Sequence, residues 1–426
     1  MSTNIEAVNG DRRRPLTCWP VVAVAGVLAS VLFYPKPLFV VAGRYSFYAG
    51  YVIWPIGLLV LPKGLTLGSH RAVLSRILWV LRVYIVVDFL VVTLWRSSVS
   101  LADLYSMAGV LLPTFLYEVG FVLQRQRLLF PCLRVVSLAA TAWSMPAAVR
   151  ALRAFLAGGP SSLVASVGEI RAFTPGWPNG VGMLMATAFL IQIHLPNGSS
   201  PSRLIRYVPL FILLLTLSRT AVIMLGIGLL IRGILRRDRL RTLLSLVMVC
   251  LVAAFVFQGK GESIQNSLSH TATGRISRWA AAMEVVGDNP LLGVGFRSFD
   301  EATGFYMNKY TGTWVRIGSA HNDFVDLAIR GGVIYVLLFL LLLTGWAYLT
   351  YRRRQGLEAR AALAVVSGIL VGSLFQNPLK TPSLSSVFWL LLGATSRPVT
   401  PIPNGRTGEL RRVSLQSSMG NQRWCW

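Results

Sequence analysis

Three arginines and one histidine carry most of the chemistry this sequence offers. Arg219 stands in Leu217-Ser218-Arg219-Thr220, a polar break between two apolar runs. Arg275 and Arg278 lie in Thr273-Gly274-Arg275-Ile276-Ser277-Arg278-Trp279, and His321 lies in Ser319-Ala320-His321-Asn322-Asp323. A guanidinium stays charged at any working pH and grips two phosphate oxygens at once. Several on one face suit an anionic phosphate and the charge that builds on it as it departs. A neighbouring histidine is the natural general base, since small shifts carry its pKa across neutrality. Asp300, Glu301 and Asp323 are the reserve bases.

Local patterning suggests how these groups are held. Residues 275–286 have helical periodicity, with Ile276, Trp279, Met283 and Val286 on one face and the two arginines on a neighbouring one. Thr273 is placed to cap that helix, and Asp288-Asn289-Pro290-Leu291-Leu292-Gly293-Val294-Gly295 closes it with a tight turn. The Gly-x-Gly there is weak evidence for phosphate binding. His321 opens a helical stretch, 320–330, that ends at Gly331-Gly332. The positive end of a helix dipole favours neutral imidazole and also attracts phosphate. Plainer readings compete: any polar residue satisfies the turn at Arg219, and a lone histidine more often has a structural role. No His/Cys/Asp cluster has metal-ligand spacing, and the cysteines Cys18, Cys132, Cys250 and Cys425 are scattered, so neither a metal nor a disulfide framework is indicated.

The elements that position these groups are set by composition. The 426 residues are 54% hydrophobic and 13% charged, against about 25% charged in a soluble domain. Spanning a bilayer takes about 20 apolar residues. Such runs lie near 18–34, 38–61, 74–95, 101–123, 128–148, 179–195, 204–217, 220–235, 243–257, 333–350, 360–375 and 383–395. The expected fold is therefore all-α, a polytopic transmembrane bundle of about twelve spans. The net charge of +25 comes from basic clusters between these runs, such as Arg236, Arg237, Arg239 and Arg241. That is the pattern of positive-inside loops, and no nucleic-acid signature accompanies it. Alternation puts both termini in the cytoplasm and the long polar stretch 258–323 outside, with short helices of its own and a smaller outer segment at 149–178. Residues 1–395 read as one transmembrane domain, and 396–426 as a basic, disordered cytoplasmic tail. Arg82, Asp88 and Glu118 fall inside spans, where pairing between neighbouring helices is the simplest account.

Taken in order, Ser218-Arg219-Thr220, Gly274-Arg275-Ile276-Ser277-Arg278-Trp279, Asp288 to Gly295 and Ala320-His321-Asn322 resemble the O-antigen ligase and O-antigen polymerase family. The motifs cover about 215–345, and the other spans agree only in number and hydropathy. The resemblance implies a multi-pass glycosyltransferase of the cytoplasmic membrane with its site facing the periplasm or cell exterior. It implies an undecaprenyl-pyrophosphate-linked glycan donor, a glycan, lipid or protein acceptor, and no metal or other cofactor. It carries the family's essential groups onto Arg219, Arg275 and His321, with Ser218, Arg278 and Asn322 as substrate-binding neighbours. A second arginine at 278 departs from the pattern and leaves open which of the pair is equivalent. Ligase, polymerase and protein glycan-ligase share these motifs. The competing class is a transporter or flippase of a lipid-linked sugar, which needs more polar residues at mid-membrane depth.

Overall fold

Apolar runs of this length satisfy their own backbone groups only as helices when water is absent, and helix accounts for nearly all of the described chain. The computed structural model describes residues 39–41, 45–47, 72–93, 101–125, 127–173, 178–195, 204–216, 218–238, 263–296, 302–304, 306–308, 313–315 and 320–396, with isolated positions between 240 and 250. The run near 18–34, nearly all of 243–257, Asp300, Glu301 and the tail from Arg397 fall outside the described residues.

The helices are α1 (Ala72–Asp88, continued by a π turn Phe89–Thr93), α2 (Leu101–Leu111), α3 (Leu116–Arg125), α4 (Leu129–Phe173), α5 (Pro178–His194), α6 (Val208–Leu215), α7 (Arg219–Arg236), α8 (Ser263–Asp288), α9 (Asp323–Arg352), α10 (Leu357–Ser373) and α11 (Pro382–Thr395). Two antiparallel hairpins complete the list, Phe39–Val41 with Tyr45–Phe47 and Tyr306–Asn308 with Thr313–Val315. The first hairpin stands where the run 38–61 was expected to begin a helix. Aromatic and β-branched residues flank Ala42-Gly43-Arg44, and such residues favour paired strands. α4 also departs from expectation. It continues as helix to Phe173, through most of the segment expected as a loop at 149–178.

Among the described residues, Asp103–Gln124 and Asp323–Arg352 are long and apolar enough to cross a membrane, and Asn179–His194, Ile205–Leu215 and Pro382–Thr395 are shorter apolar helices. α1 bears an outward row of Val73, Val80, Val83, Val87 and Leu90, and α9 a row of Val333, Leu337, Leu341 and Tyr348, all exposed. Such rows match a surface solvated by lipid better than one solvated by water. Inside, α7 packs on α5 and α10, α3 on α11, and α9 on α1. Small residues allow the closest approaches: a Cβ on Gly120 would collide with the Leu390 carbonyl, and one on Gly393 with that of Tyr117.

The span charges pair across helices, as expected for Arg82 and Glu118. Arg82 Nη1 and Nη2 donate to Glu118 Oε1 and Oε2 at 2.9 and 2.7 Å, and its Nε donates to Thr114 Oγ1 at 2.9 Å. Its guanidinium also lies 4.3 Å from the Phe115 ring centre. Removing one member of a buried pair strands the other charge, at a cost of about 3–5 kcal/mol. Glu118→Ala is therefore expected to lower the midpoint of thermal unfolding sharply. The double variant Arg82→Met/Glu118→Leu is expected to recover most of the loss. Equal midpoints for wild type and Glu118→Ala would remove the pair from the account of stability.

Candidate functional site

Ser218 fixes the start of α7. Its backbone is extended (φ −80°, ψ 108°), its hydroxyl accepts from Ala221 N at 3.3 Å, and its own N–H donates to Thr216 Oγ1 at 3.4 Å. Ser218 is buried as a helix cap, and this seats Arg219 at the first helical position. Gly182 of α5 presses on the same turn, close enough that a Cβ there would meet Ser218 Cβ and Thr216 Oγ1 at 2.7 Å.

α8 differs from the expected helix in two ways. It starts at Ser263, so Thr273 lies within it rather than capping it. Its buried face is Ser277, Ala281, Ala282 and Val286, whereas Ile276 and Met283 are 57% and 59% exposed. The helix ends at Asp288, as the Asn-Pro sequence dictates. Ala282 and Val286 form a small core with Ala320 and Ile329, and Trp279 Nε1 donates to Ala320 O at 3.0 Å. The arginine helix is thereby tied to the residue before His321. Arg275 and Arg278 are half-buried beside this contact. Burial lowers the Arg275 pKa from its usual value, and the like charges of Arg278 and Arg219 lower it further. Arg275 thus feels one guanidinium on its own helix and one on α7. Arg278 Nε is buried with no hydrogen-bond partner among the described residues.

His321 has a left-handed backbone, φ 53°, and precedes the cap rather than joining the helix. Asn322 is the cap of α9: its Oδ1 accepts from Phe324 N at 2.9 Å and Val325 N at 3.2 Å. The imidazole Nδ1 lies 3.2 Å from Gln376 Oε1. An amide oxygen only accepts, so Nδ1 carries the proton of the neutral ring and Nε2 keeps the lone pair. Burial pushes the His321 pKa down to about 4; the charges of Arg278 and then Arg275 push the same way, the Gln376 bond opposes them, and Lys380 lowers it again. The ring is neutral at pH 7 and able to accept a proton at Nε2.

Gln376 and its neighbours were not singled out in the sequence, yet they complete the site. The segment from Gln376 to Lys380, between α10 and α11, clamps the start of α9. Asn377 Nδ2 donates to Asp323 Oδ1 at 3.2 Å, Leu379 N to Asp323 Oδ2 at 3.0 Å, and Lys380 Nζ to Asp326 Oδ1 at 2.7 Å. Asp326 also pairs with Arg330 Nε at 3.0 Å. Asp323, a reserve base in the sequence, is thus occupied in holding this turn. The available signal was a polar Gln-Asn-Pro-Leu-Lys run between two apolar helices.

The Gly-x-Gly turn takes a structural role. α9 breaks at Gly331 (φ −121°, ψ 18°) and Gly332 (φ 62°, ψ −166°), which frees carbonyls of the preceding turn. Val294 N donates to Ile329 O at 2.8 Å and Gly295 N to Arg330 O at 3.0 Å, while Val333 N donates to Pro290 O at 2.8 Å. Tyr84 of α1 donates its hydroxyl to Gly331 O at 2.6 Å. The N–H groups that could have cradled a phosphate are spent on the broken helix. Gly293 is required both by its positive φ and by contact with the Ile329 and Arg330 carbonyls.

No metal-holding group of His, Cys, Asp or Glu occurs among the described residues. Residues 207–340 match the family model described as O-antigen ligase, and over this stretch the chain is similar to that family. The match contains Arg219, Arg275, Arg278 and His321, and stops before Gln376 to Lys380. No curated protein matches the chain significantly. This match and the two span-length helices together support a membrane location.

The electrostatics predict a titration. His321 is expected to titrate near pH 4 in isotope-labelled protein, its signals assigned with His321→Gln. Arg278→Ala removes the largest charge bearing on the ring, so the midpoint should rise towards the ordinary histidine value. An unmoved midpoint would show that Arg278 does not face the imidazole.

Proposed function

We propose that this O-antigen ligase family chain transfers or polymerises a glycan from undecaprenyl pyrophosphate onto an acceptor hydroxyl, at the outer face of the cytoplasmic membrane. In this reading residues 1–395 form one catalytic domain of about twelve spans, the loop 258–323 lies outside, and 396–426 is a cytoplasmic tail. The observation that carries it is Arg219 and Arg278 standing close enough to act on Arg275, beside a neutral His321, with Arg278 Nε buried and without a hydrogen-bond partner among the described residues. Like charges collected in a half-dry site are destabilising unless an anion completes them, and a pyrophosphate supplies the oxygens that guanidinium groups bind in pairs.

The steps follow from these positions. The arginines hold the donor's pyrophosphate. The acceptor oxygen attacks the anomeric carbon as His321 Nε2 takes its proton. The anomeric C–O bond breaks, and its electron pair goes to the phosphate oxygen, where the arginines stabilise the new charge. Undecaprenyl pyrophosphate leaves. One such preorganised contact is worth on the order of 3 kcal/mol, or about 10²-fold in rate. Gln376 positions the base by holding Nδ1–H, and the sequence places no metal in this scheme.

Five measurements test the reading. Arg219→Ala and Arg275→Ala should each lower transfer by on the order of 10²–10³-fold with expression intact, and lysine should restore little, because a point charge cannot form the paired contact. His321→Ala should lose roughly 10²–10⁴-fold while still binding donor. Turnover in EDTA should equal that without it. Wild-type rates in all three alanine variants would refute the proposal. Because the base is neutral above about pH 4, the rate should hold through pH 5–6 and fall only below that, whereas an unperturbed histidine would lose rate near pH 6.5. A cytoplasm-only reporter should be active after Arg423 and silent near Lys260 or Asn308, and a signal from Asn308 would reverse the topology.

A further inference from the structure

A cavity lies beside the segment that seats His321, with Asp323, Leu379 and Lys380 in its wall. It has a volume of about 150 Å³ and is bounded by α2, α9, α11 and the turn before α11. No residue of α7 or α8 lines it. Its polar wall is Ser106, Asp323, Asp326, Arg330 and Lys380, and Tyr105, Tyr335 and Trp389 supply aromatic faces. We infer that this cavity binds one neutral pyranose ring of the acceptor glycan. The word acceptor rests on the transfer reading above; the sugar specificity does not.

Charge narrows the choice of occupant. Among the described residues, two carboxylates and two cations line the cavity, so their formal charges balance. Asp326 is shared between Lys380 and Arg330, and Arg330 Nη1 is further held by the Ser106 hydroxyl. Nothing here collects a pyrophosphate as the arginines of α7 and α8 do. An isoprenoid chain fits no better, because burying ionised groups against hydrocarbon is costly. A sugar ring matches both walls: its C–H faces pack on aromatic rings, and its hydroxyls meet donors and acceptors. Lys380 gives one of its three ammonium protons to Asp326, and each carboxylate oxygen has a second lone pair beyond the bond it already accepts. Size agrees with a single ring and no more: a cavity of about 150 Å³ is on the scale of one that admits one six-membered ring.

Position links the cavity to the reaction. The segment that seats His321 through Gln376 also supplies Lys380 to the cavity, and Asp323 lies two residues beyond His321. A ring held there is a neighbour of the base without touching the phosphate arginines.

Gly109 of α2 gives a clean way in. It lines the cavity, and a Cβ added to it meets nothing within 4 Å. Leucine is a better helix former than glycine by about 1 kcal/mol, so Gly109→Leu should fill the cavity without unfolding the helix, which circular dichroism checks. The probes are the methyl pyranosides of glucose, galactose, rhamnose and N-acetylglucosamine, observed by saturation-transfer NMR on the purified full-length protein. At least one should be saturated by wild type, lose signal at least tenfold with Gly109→Leu, keep it with Gly109→Ala, and keep it with His321→Ala and Arg275→Ala. In turnover, Gly109→Leu should raise the acceptor KM about tenfold and leave the donor KM unchanged. Saturation of none of the sugars, an unchanged signal in folded Gly109→Leu, or displacement by inorganic phosphate would overturn the assignment. Transfer activity surviving in the arginine and histidine variants, with sugar binding as expected, would defeat the functional reading alone.

Discussion

Guanidinium groups free to move would part, so the decisive constraint is whatever holds α7, α8 and the start of α9 together. Between α8 and α9 the holding is done by a small core and one hydrogen bond. Ala282, Val286, Ala320 and Ile329 are all but fully buried against one another, and Trp279 Nε1 reaches the Ala320 carbonyl. Trp279 directly follows Arg278, and Ala320 directly precedes His321. The bond thus fixes the backbone next to the charge that bears most on the His321 ring and the backbone next to His321 itself. The contact sets how the arginines of α8 bear on the ring, beside the burial that lowers its pKa most.

The helix break at Gly331-Gly332 lets the contact coexist with a membrane helix. Freed carbonyls beside an apolar bundle need donors, and residues 290–295 and Tyr84 provide them. A sequence that looks like a phosphate loop thus closes a gap in another helix. The backbone interlock and the side-chain core lie on adjacent stretches of the same two segments, so each supports the other's register.

Much of this was legible in the sequence and some was not. Hydropathy located most described helices, because apolar length is a local property. Arg219, Arg275, Arg278 and His321 were legible because polar residues between apolar runs stand out. Gln376 was not, since its role depends on a contact 55 residues away in sequence. The face of α8 was misjudged because Ile276 and Met283 look like core residues, whereas alanines permit the close approach and the larger side chains point outward. The end of α4 was misjudged because charged residues were read as a loop, although a helix tolerates them once it leaves the apolar layer. The family match ends at residue 340, whereas the turn that seats His321 lies at 376–380. The surroundings of His321 are thus completed by a part of the chain that the shared pattern does not cover.

The break in α9 also separates two mechanical demands. Below it, Val333 to Arg352 is 20 residues of helix, about 30 Å at 1.5 Å per residue, close to the thickness of a bilayer's hydrocarbon layer. Above it, Asp323 to Arg330 is a two-turn segment held by the 376–380 clamp and by α8 rather than by the span's own axis. A helix whose apolar length does not match its bilayer tilts to compensate. In an unbroken helix that tilt would swing Asn322 and His321 through an arc and change the distance from the imidazole to the arginines. Here residues 290–295 and Tyr84 bond the backbone on both sides of the break, so the position of His321 is set by its neighbours rather than by the axis of the span.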